Sequence, residues 1–81
     1  MTTITFYHKA GCHLCDETRE QLQQLEQDMA LTVEEIDITL DPDLYARYRY
    51  VIPVIDTRHG RQFTAPIDID LVREVLCGQW S

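Results

Sequence analysis

Hydrophobic and polar residues alternate with a period of two at the start of the chain, then switch to a helical period. Ile4 and Phe6 interleave with Thr5 and Tyr7, residue types that suit a pleated surface, and predict a strand over Ile4–Tyr7. From there Leu14, Thr18, Leu22, Leu25 and Met29 recur on one face, while Glu17, Glu20, Gln21, Gln24 and Glu26 cover the other. That spacing predicts one amphipathic helix of roughly 15 residues ending near Met29. Leu31–Ile38 reads as a second strand. Its apolar positions change parity between Val33 and Ile36, which calls for a bulge or a strand buried on both faces. Asp41-Pro42 is a helix start, an N-cap acid followed by proline at the first helical position, and a short helix through Leu44, Tyr45 and Tyr48 follows. Val51–Ile55 is an apolar run interrupted by Pro53, which a strand does not normally accept in its middle. Arg58-His59-Gly60-Arg61 is a turn, with Gln62–Ala65 as a short hairpin partner. A last helix begins near Asp68 and is expected to bury Leu71, Val72, Val75 and Leu76. The order is β-α-β-α-β-β-α over residues 1–81, one α/β domain without repeats, linkers or low-complexity segments.

The candidate chemistry sits where the first strand gives way to the first helix. His8-Lys9-Ala10-Gly11-Cys12-His13-Leu14-Cys15 puts two cysteines three residues apart at that junction. A helix N-terminus carries about half a positive charge and several unpaired N–H groups. Both favour a thiolate, the form that attacks disulfides. Cys12 is the expected exposed attacker, and Cys15, one turn on, the resolving thiol. Near a βαβ pattern this spacing points to a redox motif.

Charge and composition narrow the alternatives. The formal net charge is −7, with 14 acids against seven Lys and Arg. That balance argues against nucleic acid and anionic membrane surfaces as partners. No run approaches the roughly 18 apolar residues of a membrane helix. No signal or transit peptide is read at the start, and a soluble, cytoplasmic monomer is expected. Three cysteines do not make a secreted disulfide framework. A zinc or iron–sulfur half-site is the alternative for Cys12 and Cys15, with His8, His13 and Cys77 as further donors. A closed zinc site needs four ligands, usually from two such pairs, and no second pair exists, so no metal is expected. Asp16 after Cys15 excludes a c-type haem, which needs histidine there. His13 is expected to face solvent and tune the thiols, although the helix N-terminus disfavours its cation. Asp16 and Glu17 suit the helix dipole but oppose a thiolate, and Lys9, the chain's one lysine, is the expected balancing charge. Cys77 is expected to be a spectator on an apolar helix face, as free cysteines commonly are. Trp80 and the four tyrosines are read as packing residues.

The element order, the cysteine pair after the first strand and the proline opening the third together resemble the thioredoxin fold in its minimal glutaredoxin form. The resemblance spans the chain and is closest to small bacterial glutaredoxin-like proteins, whose second strand ends in an Asp-rich stretch like Asp37-Ile38-Thr39-Leu40-Asp41-Pro42. It implies a four-stranded mixed sheet flanked by helices and a thiol–disulfide oxidoreductase working through Cys12 and Cys15. It also implies that Ile52-Pro53 is cis and lines the substrate groove beside Cys12. By the same resemblance Lys9 is the family's lysine three residues before the first cysteine, and Asp68 the acid that meets the amino group of glutathione. A non-catalytic adaptor or a zinc or iron–sulfur carrier using the same thiols is the other class to weigh.

The chain departs from the glutaredoxin pattern twice. His13-Leu14 stands between the cysteines where the family has Pro-Tyr. Ala65-Pro66-Ile67-Asp68-Ile69-Asp70 replaces a Gly-Gly turn and an Asp pair that hold glutathione. Pro66 removes a backbone donor and Ala65 narrows the approach. Protein disulfides or a dedicated reductase are therefore the expected exchange partners, glutathione is expected to bind weakly, and no tightly bound cofactor is expected.

Overall fold

A computed structural model describes residues 2–58 and 61–77 of the chain. The first apolar alternation forms β1 (Thr2–His8), and the helical repeat that follows forms α1 (His13–Asp28). β2 (Leu31–Asp37) leads through a single 3-10 turn (Ile38–Leu40) into α2 (Pro42–Tyr48). A hairpin of β3 (Val54–Asp56) and β4 (Gln62–Phe63) precedes α3 (Ile69–Leu76). The sheet order is β2-β1-β3-β4, with β1 parallel to β2 and antiparallel to β3. The expected mixed four-stranded α/β architecture is therefore present.

β1 is central, and its alternation divides the molecule. Ile4 and Phe6 are fully buried, and the Arg19 guanidinium of α1 lies 5.6 Å from the Phe6 ring centroid. On the opposite parity, the Tyr7 ring stacks on Tyr48 of α2 at 4.6 Å between centroids. α1 and α2 thus pack on opposite faces of one strand. α1 buries Cys15, Thr18, Leu22 and Leu25, the i, i+3, i+7, i+10 line of its apolar repeat. α3 packs against α1 and contributes the fully buried Val72 to the core.

Several sequence expectations change. β2 pairs with β1 through seven consecutive residues, Thr2↔Leu31 to His8↔Asp37, so there is no bulge. The parity change reflects a two-faced strand, with Leu31 and Val33 on one side and Ile36 on the other. The strand also stops at Asp37, and Ile38 is buried from the 3-10 turn instead. The third strand starts at Val54 rather than Val51. Pro53 has no N–H for a ladder, and the Val51 and Ile52 N–H groups donate back to the Tyr48 carbonyl at 2.9 and 3.1 Å. β4 ends at Phe63, and the Ala65 N–H donates to the Val51 carbonyl at 3.1 Å rather than extending the hairpin. Of the four α3 residues expected in the core only Val72 is fully buried; Leu71, Val75 and Leu76 are half-buried in this short helix. Cys77 is exposed, since it lies past the last turn rather than on the packed stripe. The His59-Gly60 part of the predicted turn and Trp80 lie outside the described residues.

Polar anchors fix the connections. Asp41 accepts from the Asp43 and Leu44 N–H groups at 2.9 and 3.4 Å and caps α2, as the Asp-Pro signal predicts. Asp41→Ala should destabilise the domain by about 1 kcal/mol, readable as a lower urea midpoint at unchanged slope. Asp37 accepts from the Thr39 hydroxyl and N–H at 2.6 and 2.9 Å, which hold its carboxyl below the usual carboxylate range. Arg58 adopts a left-handed φ of 64°, and its side chain pairs with Glu34 and donates to Thr5 Oγ1 at 3.2 Å.

Candidate active site

The site grows from the β1–α1 junction. β1 ends at His8, and Gly11 takes a φ of +78°, a left-handed conformation that glycine adopts without Cβ strain. The turn delivers Cys12 in extended geometry to the N-cap of α1. There its Sγ accepts a hydrogen bond from the Cys15 N–H at 3.2 Å, and its carbonyl accepts from the Asp16 N–H at 3.1 Å. Cys12 and Cys15 form a disulfide with Cα atoms 5.2 Å apart. That separation suits a disulfide, so the pair can open and close without a large backbone shift. The two sulfurs are not equivalent. Cys12 is half-buried, whereas Cys15 is 1% exposed and belongs to the core. Of the two, Cys12 is the sulfur-bearing residue that solvent reaches, with Cys15 behind it in the core.

The other sequence candidates are placed as follows. Lys9 is half-buried in the loop before Cys12 and makes no ion pair or side-chain hydrogen bond among the described residues. His13 is 86% exposed, and its Nε2 faces Glu17 at 3.2 Å, one turn along the helix. Pro53 is buried, and Ile52-Pro53 is cis, as is Ala65-Pro66. Pro53 lines a groove of about 130 Å³ together with Leu14 and Thr18 of α1 and the Ala65-Pro66-Ile67 segment. Leu14 lies between the two cysteines in sequence, so the groove and the pair share the start of α1, although neither cysteine lines it. Ile52 is buried and joins the core. Asp68 caps α3, accepting from the Asp70 and Leu71 N–H groups at 3.1 and 3.3 Å. The groove and the thiols thus share α1, whereas Asp68 spends its carboxylate on its own helix.

The sequence reading missed a charge network. Arg19 Nε donates to Glu35 at 2.8 Å and Arg19 Nη1 to Asp16 at 3.1 Å, and His8 Nε2 lies 3.7 Å from Glu35. The Glu35 hydrogen bond is the main cause that holds the Arg19 guanidinium firmly in its charged form. Asp16 and Glu17, the two acids that follow Cys15, thus have the Arg19 and His13 side chains rather than Lys9 as their partners. The Asp16–Arg19 half was legible as an i, i+3 pair. Glu35 was not, because it arrives from a strand whose partner only the topology defines. Thr18, buried in the groove wall, carried no polar signal in a helical apolar repeat. Tyr7 is a half-buried polar group; desolvation first, then Tyr48 and Asp56, push its phenol up. Among the described residues no group of three His, Cys, Asp or Glu side chains gathers at one point. A metal carrier built on these thiols would take its remaining ligands from elsewhere.

A mixed sheet with helices on both faces and a Cys-x-x-Cys pair at the first helix N-terminus defines a thioredoxin-fold dithiol protein. The family model described as Glutaredoxin-like domain (DUF836) matches residues 3–77, and the chain belongs to that family. Among solved structures it is similar to the target protein XcR50 from X. campestris, with 31% identity, a TM-score of 0.78, and coverage of 93% of this chain and 96% of that one. It shares its fold with the N21Q mutant thioredoxin from Halobacterium salinarum NRC-1, at 13% identity, TM-score 0.74, and coverage of 95% and 73%. Thioredoxin 1 from Thermosipho africanus TCF52B has the same fold at 17% identity, TM-score 0.73, and coverage of 95% and 92%. Family and cysteine pair together support a redox-type function. No helix among the described residues is long and apolar enough to cross a membrane.

Proposed function

We propose that the protein is a thiol–disulfide oxidoreductase that reduces protein disulfides through Cys12 and Cys15. One observation carries this reading: the Cys15 N–H donates to Cys12 Sγ at the helix N-cap, with the Cys15 sulfur buried directly behind. A hydrogen bond and a helix dipole aimed at one sulfur favour its thiolate. In the reduced protein the Cys12 thiolate attacks one sulfur of a substrate disulfide. The new Cys12–substrate bond forms as the substrate S–S bond breaks, and the departing sulfur leaves as a thiolate that takes up a proton. Cys15 then loses its proton and attacks Cys12 Sγ, releasing the second substrate thiol and leaving the Cys12–Cys15 disulfide. Two electrons have moved to the substrate. Lys9 attracts anionic substrate groups and adds to the positive field at Cys12, His13 tunes that field from solvent, and Ile52-Pro53 forms one wall of the substrate groove. The protein acts as a monomer in the cytoplasm, where a reductase or another dithiol returns it to the reduced state.

The alkylation rate of Cys12 against pH tests the central claim. Cys12 should react with iodoacetamide with a midpoint below the roughly 8.5 of a free cysteine, and faster at neutral pH than the exposed Cys77. Equal rates would refute the activated-thiolate reading, because exposure alone would then account for both. Zinc or a coloured cluster retained by the purified reduced protein would instead favour the carrier reading.

Glutathione is the point at which family and residues diverge. Pro66 offers no N–H, and Asp68 already occupies the Asp70 and Leu71 N–H groups at the start of α3. Losing one or two charge-assisted hydrogen bonds costs about 1.5–3 kcal/mol each, or about tenfold or more in affinity per bond. Turnover of a glutathionylated substrate in a glutathione-coupled assay should therefore fall at least about tenfold below turnover of a protein disulfide. Comparable rates would show that the α3 start is not needed for glutathione.

A further inference from the structure

Two sets stand out among the seven cations of this acidic chain; Lys9 and Arg61, which lies 5.4 Å from the Phe63 ring centroid, belong to neither. Arg19, Arg58 and Arg73 each pair with a carboxylate, respectively Asp16 and Glu35, Glu34, and Asp28. Arg47 and Arg49 are exposed on α2 and its end and form no ion pair or side-chain hydrogen bond among the described residues. They lie instead on tyrosine rings. The Arg49 guanidinium carbon is 4.5 Å from the Tyr50 ring centroid and 5.7 Å from that of Tyr45, and Arg47 is 6.0 Å from Tyr48. Tyr50 is 83% exposed, and Tyr45 is exposed as well.

Stacking uses the flat face of a guanidinium and leaves its in-plane N–H donors unengaged. Those donors match a carboxylate bidentately. The rings hold the guanidinium in place beforehand, which lowers the entropy lost when a ligand binds. Residues 44–50 contain two arginines, three tyrosines and no acid. The nearest acids along the chain on the N-terminal side are Asp41 and Asp43 at the start of α2, and the Asp41 carboxylate is committed to its cap. With 14 acids elsewhere in the chain, a negatively charged partner is repelled by most of the surface and attracted here, so the field also sets its orientation. Tyr and Arg are the residue types that dominate binding energy in protein interfaces.

We infer that Arg47 and the Tyr45–Arg49–Tyr50 stack form a docking surface for an acidic segment of a partner protein. Carboxylates of that segment take the guanidinium edges, and an apolar or aromatic side chain lies against Tyr50. The chain runs on from this surface through Val51 and Ile52 to Pro53 in the groove wall. Docking itself uses no thiol and stands independently of the redox proposal.

The test is fluorescence anisotropy with a labelled, cysteine-free peptide of alternating Glu and Asp around one Phe, measured on the full chain and on its Cys12→Ser variant. Both proteins should bind it equally, with affinity falling as salt rises, and a Lys-for-acid version of the peptide should not bind. Arg47→Ala/Arg49→Ala should weaken binding at least about tenfold, the loss of one charge-assisted bond or more. Arg49→Lys should lose affinity although it keeps the charge, because it lacks the planar fork. Circular dichroism identical to the parent confirms that both variants fold. Unchanged binding by the double alanine variant, or full binding by Arg49→Lys, overturns the proposal. So does preferential binding of a single-stranded oligonucleotide or of phosphatidylserine vesicles. A concentration-dependent dimer that the double variant abolishes also overturns it, because the occupant would then be a second copy.

Discussion

Cys12→Ser is expected to reduce disulfide-reducing turnover to background, with the domain still folded. The fold should survive because serine is a better N-cap than cysteine, and its Oγ can accept the Cys15 N–H that Cys12 Sγ accepts now. Lost turnover then reports lost nucleophile rather than lost structure. Cys15→Ser behaves differently. Cys12 can still attack, but nothing stands behind it to release the substrate, so a mixed disulfide accumulates and is visible by mass spectrometry. Because Cys15 is 1% exposed, its hydroxyl replacement has no water to bond, and a moderate stability loss accompanies the trapped intermediate. Residual turnover in Cys12→Ser matching that of the parent would assign the chemistry to another group and remove the basis for the oxidoreductase reading.

Phe6→Ala is expected to cost about 3–5 kcal/mol, as truncation of a fully buried aromatic does. A domain of this size has about 4–12 kcal/mol in total at the usual 0.05–0.15 kcal/mol per residue. The variant should therefore be partly unfolded at 37 °C or show a sharply lowered urea midpoint. Phe6 sits at the crossing of the layers: it pairs with Glu35 on β2 and Ile55 on β3, and its ring lies under Arg19 and 5.3 Å from the His8 ring. Leu40→Ala is the control, since Leu40 is 83% exposed and should change stability by less than about 0.5 kcal/mol. Similar midpoints for the two variants would contradict the placement of β1 at the centre of the sheet.

What the sequence disclosed depended on whether the signal was local. The Ile4/Phe6 alternation, the Leu22–Leu25 repeat, the Asp41-Pro42 cap and the helix start near Asp68 are written within a few residues, and each appears in the structure at the expected place. The Cys12–Cys15 pair was legible as a motif, and its position on the helix N-cap followed from where the periodicity changed. Features set by distant partners were less legible. Val33 and Ile36 differ in parity because β2 has two contact faces, and nothing in residues 31–38 separates that from a bulge. Val51 and Ile52 look like strand residues, yet their N–H groups return to Tyr48. Leu71, Val75 and Leu76 form a clean apolar stripe, but how much of a stripe is covered depends on what lies opposite. The Arg19–Glu35 bond joins residues 16 apart and needs the parallel pairing to exist first.

The position of β2 has a further consequence for solubility. It is an outer strand whose free edge could template pairing with another chain. At mid-strand it carries Glu34 and Glu35 in succession, so one carboxylate projects from each side of the pleat. Arg58 ties Glu34 on one side and Arg19 ties Glu35 on the other. A strand sliding onto this edge would have to bury one of these charges or break its pair, whichever face it presented. The border of the sheet is thereby guarded against stacking into fibrils by the same two ion pairs that fasten α1 and the β3–β4 turn to it.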